Sequence, residues 1–260
     1  MRAWRAAAAG LSALAIFGLG GCGGAGPDQD PGSGTGESAG AVSGSVTVFA
    51  AASLTESFTT IGEQFEAAHP GTTVTFNFGG SSGLATQINE GAPADVFASA
   101  SPKNLVTGAG PPAVFARNQL VIAVAKGNPA GVTGLAGLSR AGLKVALCAE
   151  AVPCGAAANT VIEAAGVAVT PVTLEQDVKA ALSKLKLGEV DAALVYRTDA
   201  KASAADVDAV EFPESAEAVN DYPIVVLNGA RNPAGARAFV DYVLSGEGTK
   251  VLTGAGFQAP

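Results

Sequence analysis

Apolar and polar positions along residues 45–260 switch repeatedly between a period of two and a period near 3.6, so strands alternate with helices. Val46-Thr47-Val48-Phe49 is β-branched and aromatic, the composition of a buried strand. Three alanines follow, and Ser53 then opens a helix. Ser53-Leu54-Thr55-Glu56 fits a capping box, with a hydroxyl at the N-cap and a carboxylate three residues on. His69-Pro70-Gly71 stops that helix. Thr72–Phe78 alternates as a strand, Gly79-Gly80-Ser81-Ser82-Gly83 turns, and Leu84–Glu90 reads as a helix. Further strands are expected at Val96–Ala98, Gln119–Ala125, Lys144–Cys148, Val190–Tyr196 and Pro223–Leu227. Further helices are expected at Gly155–Ala165, Thr173–Leu187 and Ala234–Leu244. In Thr173–Leu187 the apolar Val178, Leu182 and Leu185 recur at helical spacing, behind a second capping box at Thr173-Leu174-Glu175-Gln176. Such alternation is the mark of open α/β sheets.

Ligands in open α/β sheets bind beyond the carboxyl ends of the strands. Four places here put a helix start at or near such an end: Ser53, Ser81, Cys154-Gly155 and Gln176-Asp177-Val178. The first N–H groups of a helix have no partner within it and lie at the positive end of its dipole, which suits an anion. Ser53 and Ser81 add hydroxyls, and Tyr196, ending its strand, can add a phenolic donor. Each residue also has a plain structural reading. The serines can be caps, Val178 a core side chain, and Tyr196 a lining aromatic.

The chain begins with a basic segment, Met1-Arg2-Ala3-Trp4-Arg5, and the apolar run Ala6–Leu19. That run is too short and alanine-rich for a membrane span but suits a signal peptide over residues 1–21. Leu19-Gly20-Gly21-Cys22 resembles a bacterial lipobox, which implies cleavage before Cys22, acylation of its thiol and anchoring outside the cytoplasm. Residues 22–44 are rich in Gly, Pro, Ser and Asp and read as a flexible tether with an r.m.s. reach of about 25 Å. The formal net charge is −8, and removing Arg2 and Arg5 makes it more negative. No basic stripe is present to neutralise phosphates, so a nucleic-acid partner is excluded. Any anion must be held by local donors. Cys148 and Cys154 remain as an even pair in an oxidising compartment and bracket a proline-containing loop, so a disulfide is expected, with two buried thiols as the alternative. The single histidine and three cysteines form no metal-site pattern.

The ordered blocks VFAAASLTESF, FGGSSGLATQINEGAPADVFASA, AVPCGAAA, LEQDVKAAL and ALVYRTDA, ending with DYPIVVLNG, resemble the periplasmic molybdate-binding proteins of ABC transporters. The resemblance spans residues 45–260. It implies a two-lobed periplasmic-binding-protein fold of type II, each lobe a mixed sheet flanked by helices. Lobe 1 would comprise residues 45–119 and 223–260, and lobe 2 residues 120–222. The hinge would have two segments, near Asn118–Gln119 and Asp221–Pro223. It further implies that Ser53, Ser81, Cys154, Val178 and Tyr196 hold molybdate or tungstate: two serines from one lobe, two amides and a tyrosine from the other. Cys154 falls where the family often has alanine, and the Gly-rich turn leaves Ser81 against Ser82 open. The implied protein is a monomeric, non-enzymatic lipoprotein without cofactor that delivers its anion to a membrane permease. Sulfate or another tetrahedral oxyanion is the alternative ligand.

Gly79-Gly80-Ser81-Ser82-Gly83 also matches the Gly-x-Ser-x-Gly nucleophile elbow. A serine hydrolase is the rival from another class. It lacks a base in the right chain order, because His69 is the only histidine and precedes Ser81.

Overall fold

The computed structural model describes residues 42–104 and 106–260. The expected signal peptide, Cys22 and almost all of the expected tether lie outside them. β1 (Gly44–Ala51) carries the Val46–Phe49 run and is flanked in parallel by β2 (Thr72–Gly79) and β3 (Val96–Ala98). β10 (Asn220–Val226) runs antiparallel to β3 and to β4 (Ala113–Asn118), which gives the order β2-β1-β3-β10-β4. Side chains alternate across this sheet, as the pleat requires. Val46, Val48 and Ala50 face one core with Phe58, Ile61 and Phe65 of α1 (Thr55–Ala68), Phe239 of α6 (Pro233–Leu244) and Leu252 of α7 (Gly246–Ala255). Phe49, Phe97 and Val225 face the other way, onto Leu84 and Ala85 of α2 (Ser81–Asn89). Phe58, Phe65 and Phe239 meet edge-on, the arrangement aromatic rings favour.

The second sheet repeats the plan in the order β7-β6-β8-β5-β9. β6 (Val145–Cys148) pairs in parallel with β7 (Thr173–Glu175) and β8 (Ala192–Tyr196). β5 (Leu120–Ala125) is antiparallel to β8 and β9 (Val207–Val210). Helices α3 (Pro153–Ala164), α4 (Val178–Lys186) and α5 (Arg197–Ala202) pack around it. Because β5, β6 and β8 are covered on both faces, they read as continuous apolar runs rather than alternating ones.

The chain passes from the first sheet to the second at Gln119 and is back in the first by Asn220. The two crossings lie side by side, with Asn118 opposite Asn220. Polar contacts fix the first crossing against the second sheet's helices: the Asn118 amide donates to Thr198 Oγ1 of α5 at 2.8 Å, and the Gln119 amide to Ser215 Oγ, in the 3-10 turn Pro213–Ala218, at 2.6 Å. Tyr222, which the sequence reading assigned to lobe 2, lies inside β10 of the first sheet because that strand starts three residues before Pro223.

Both expected capping boxes are absent. Ser53 sits in a 3-10 turn, Ala52–Leu54, ahead of α1, and its hydroxyl is turned away from the helix. Thr55 Oγ1 closes that turn instead, donating to the Ala52 carbonyl at 2.6 Å. Thr173–Glu175 is an edge strand, not helix. Its backbone pairs with β6, and Asp177 caps α4 by accepting the Ala180 N–H at 2.9 Å.

Candidate anion-binding site

Between the sheets lies a small cavity of about 10 Å³, walled on one side by Ser53, Gly80 and Ser81 and on the other by Cys154, Val178 and Tyr196. All five residues singled out in the sequence therefore reach one place. Ser82, the open alternative to Ser81, is not on the wall.

Each of these residues is placed by a local device. β1 ends at Ala51, and small Ala51 and Ala52 let the backbone of the 3-10 turn approach the cavity. Gly80 is the N-cap of α2 and Ser81 its first residue, so Ser81 is buried at the positive end of the helix. Ser81 Oγ accepts the Ala100 N–H at 3.0 Å, which leaves its own proton free. On the opposite wall α3 begins with Pro153, which has no N–H, and the Gly155 N–H is bonded to the Val152 carbonyl. The Cys154 N–H carries no bond to another described residue. Cys154 is bonded through sulfur to Cys148 at the end of β6, with Cα atoms 5.7 Å apart. A Cβ on Gly155 would collide with the Ala149 carbonyl, so glycine there lets α3 seat directly on the end of β6. Val178 is the first residue of α4, and its N–H is also without a partner among the described residues. Its side chain is buried in the core, as the structural reading had it.

Tyr196 closes the far wall. It is 1% exposed, and its hydroxyl has no hydrogen-bond partner among the described residues. An unpaired buried hydroxyl costs about 1–3 kcal/mol, so an orphan facing a cavity marks a place where a ligand is expected. Burial pushes its pKa well above the ordinary tyrosine value, so it stays protonated. Among the described residues no Lys or Arg side chain lines the cavity.

The lobes meet around this cavity. Gly80 abuts the Gln176 carbonyl so closely that a Cβ would overlap it. Lys179 Nζ donates across to both oxygens of Glu56 at 2.6 and 2.8 Å and lies 3.2 Å from Asp199 Oδ1. Asp199 is fully buried, and that burial raises its pKa to about 6 even though the Lys179 charge pulls it down. For Lys179, burial acts to lower the pKa, but Asp199 and Glu56 together leave it raised. Tyr222 packs on Tyr196 with ring centroids 6.0 Å apart and reaches Ser53. Sequence reasoning missed Tyr222, Lys179, Glu56 and Asp199. Asp199 carried the one readable signal, a carboxylate three residues after the Val190–Tyr196 strand.

The hydrolase geometry does not form. His69 ends α1 just before β2, whereas Ser81 follows the other end of that strand, about 25 Å away along it. His69 Nδ1 lies 3.0 Å from the Phe65 carbonyl, and its ring packs on Phe65.

The sequence profile of the bacterial extracellular solute-binding proteins matches residues 46–258. Among curated relatives, the molybdate-binding protein ModA of Mycobacterium tuberculosis is 44% identical over 256 residues, covering 96% of each chain. ModA of Escherichia coli is 31% identical, covering 82% of this chain and 89% of its own. The periplasmic molybdate-binding protein of Azotobacter vinelandii has a similar structure, with a TM-score of 0.71 at 20% identity over 83% of this chain and 99% of that one. The sulfate-binding protein SubI of M. tuberculosis gives 0.70 at 17% identity, covering 83% of this chain and 86% of its own. These two likenesses carry the fold, a two-lobed periplasmic-binding-protein fold of type II. The chain belongs to the bacterial extracellular solute-binding proteins.

Proposed function

We propose that the protein captures molybdate, and tungstate with it, in the cavity between its lobes and delivers it to an ABC permease. Ser53 and Ser81 supply hydroxyls from lobe 1, Cys154 and Val178 supply backbone N–H groups from lobe 2, and Tyr196 supplies the fifth donor. The observation that carries the reading is the Tyr196 hydroxyl, buried and unpaired against two serines and two free amides. The names of the relatives point the same way.

Donors without acceptors select a fully deprotonated anion. Among the described residues the one carboxylate on the wall, Asp177, is engaged as the cap of α4. Hydrogen bonds to a charged group contribute about 1.5–3 kcal/mol each, so neutral donors suffice without a counter-cation. Because the donors come from two lobes, the bound anion stabilises the arrangement in which they meet, and that arrangement is the form a permease would receive. The protein acts as a monomer tethered outside the cell by lipid on Cys22. Calorimetric titration tests the site. Ser53→Ala combined with Tyr196→Phe weakens molybdate binding by about 100-fold or more while the fold is retained. Unchanged affinity refutes the assignment.

A further inference from the structure

Ser53 is held by a second hydroxyl. Its Oγ lies 2.8 Å from the Tyr222 hydroxyl, 169 residues away in sequence. Tyr222 is fully buried on β10, its ring set edge-on between Phe115, Phe257 and Tyr196. Two hydroxyls in contact can be ordered either way. If Ser53 donates, its proton is engaged on the Tyr222 oxygen, and the lone pair left facing the cavity repels an oxyanion. If Tyr222 donates, the Ser53 oxygen is occupied and its proton is released toward the ligand. Ser81 is already set in the second sense, because the group on its oxygen is the Ala100 backbone N–H, which can only donate. Tyr222 is suited to the same part: burial drives its pKa far above the ordinary tyrosine value, so its proton is always present.

We propose that Tyr222 is a positioning residue for anion binding, donating to Ser53 Oγ so that Ser53 acts as a donor to the bound oxyanion. Hydroxyls linked in one direction polarise each other, which strengthens the terminal bond to the anion. The placement also has a conformational side. Tyr222 stands where the chain has just returned to the first sheet, at a register shift between β10 and β4. It thus ties the serine to one of the two crossings between lobes.

This inference rests on the anion-binding reading above, and a double-mutant cycle separates the two. The purified protein and its Tyr222→Phe, Ser53→Ala and double variants are titrated with sodium molybdate, and their ligand-free unfolding midpoints are measured. Tyr222→Phe is expected to weaken binding by about tenfold, the worth of one net hydrogen bond. In the Ser53→Ala background the same change is expected to cost less than about twofold, because no serine hydroxyl remains to orient. In a Ser81→Ala background it should keep its full effect. A merely structural role for Tyr222 would cost the same in every background, and that result overturns the proposal. So does wild-type affinity in Tyr222→Phe. A wild-type protein that binds neither molybdate nor sulfate overturns the anion-binding reading and this inference with it.

Discussion

Gly80→Ala isolates the meeting of the two lobes from the chemistry of the site. Gly80 has φ −62° and ψ 128°, a conformation any residue adopts, so its own backbone does not require glycine. What requires it is the Gln176 carbonyl of the other lobe, which an alanine Cβ would overlap. Neither group is a flexible side chain, so the lobes must shift apart at that point. Overpacking of this kind costs about 1–3 kcal/mol, and here the cost falls only on the arrangement in which the lobes are in contact. Molybdate affinity should therefore fall by about 5- to 150-fold. Ligand-free stability should hold or rise slightly, since alanine restricts the unfolded chain by about 0.4–1 kcal/mol relative to glycine. Gly83→Ala is the control: it lies in α2, the helix that Gly80 caps, and its added Cβ meets nothing within 4 Å. Calorimetric titration of the three proteins, with urea unfolding of each, reads both quantities. A Gly80→Ala protein that binds within about twofold of wild type would show that Gly80 and Gln176 do not touch in the bound state.

The Lys179 cluster gives a pH prediction. The Asp199 carboxyl is raised from 3.8 to about 6, so between those values the folded protein holds a proton that the unfolded chain has lost. Stability from this group is therefore fully present below about pH 4 and lost as pH rises through 6, a cost of about 3 kcal/mol at neutral pH. Asp199→Asn should flatten that part of the urea-unfolding curve between pH 4 and 7, and parallel curves would refute it. Lys179→Ala leaves Asp199 buried without a cation and should cost about 3 kcal/mol, most of it recovered in the Asp199→Asn background. Replacing Cys148 and Cys154 by alanine should lower unfolding free energy by about 2 kcal/mol, read by chemical denaturation. It should also weaken molybdate binding, because the start of α3 is then held only by packing.

Strand placement was readable because β1, β5 and β8 are dense in β-branched and apolar residues whose burial any sheet would exploit. The meeting of Ser53, Ser81, Cys154 and Val178 at one cavity was readable because a strand end followed by a helix start is a local pattern. The errors have one origin. Ser53 and Thr173 each satisfied a local capping rule that a distant partner overrode: Tyr222 claimed the Ser53 hydroxyl, and β6 claimed the backbone of Thr173–Glu175. Tyr222 itself carried no signal, since its role exists only once β10 is laid beside β4 and the Ser53 turn. The Glu56–Lys179–Asp199 group is equally nonlocal, assembled from two lobes and 123 residues of separation between Glu56 and Lys179. Gly80 could be read as part of a turn, but its approach to Gln176 belongs to the docked lobes alone.

In the proposed site, five neutral donors from two lobes hold one fully deprotonated tetrahedral anion. Titrating the purified protein with molybdate and, separately, with sulfate at neutral pH tests this arrangement. The expected result is one molybdate per chain with a Kd below about 1 μM, and sulfate weaker by about 100-fold or more. No binding of molybdate, or sulfate bound as tightly, would contradict it.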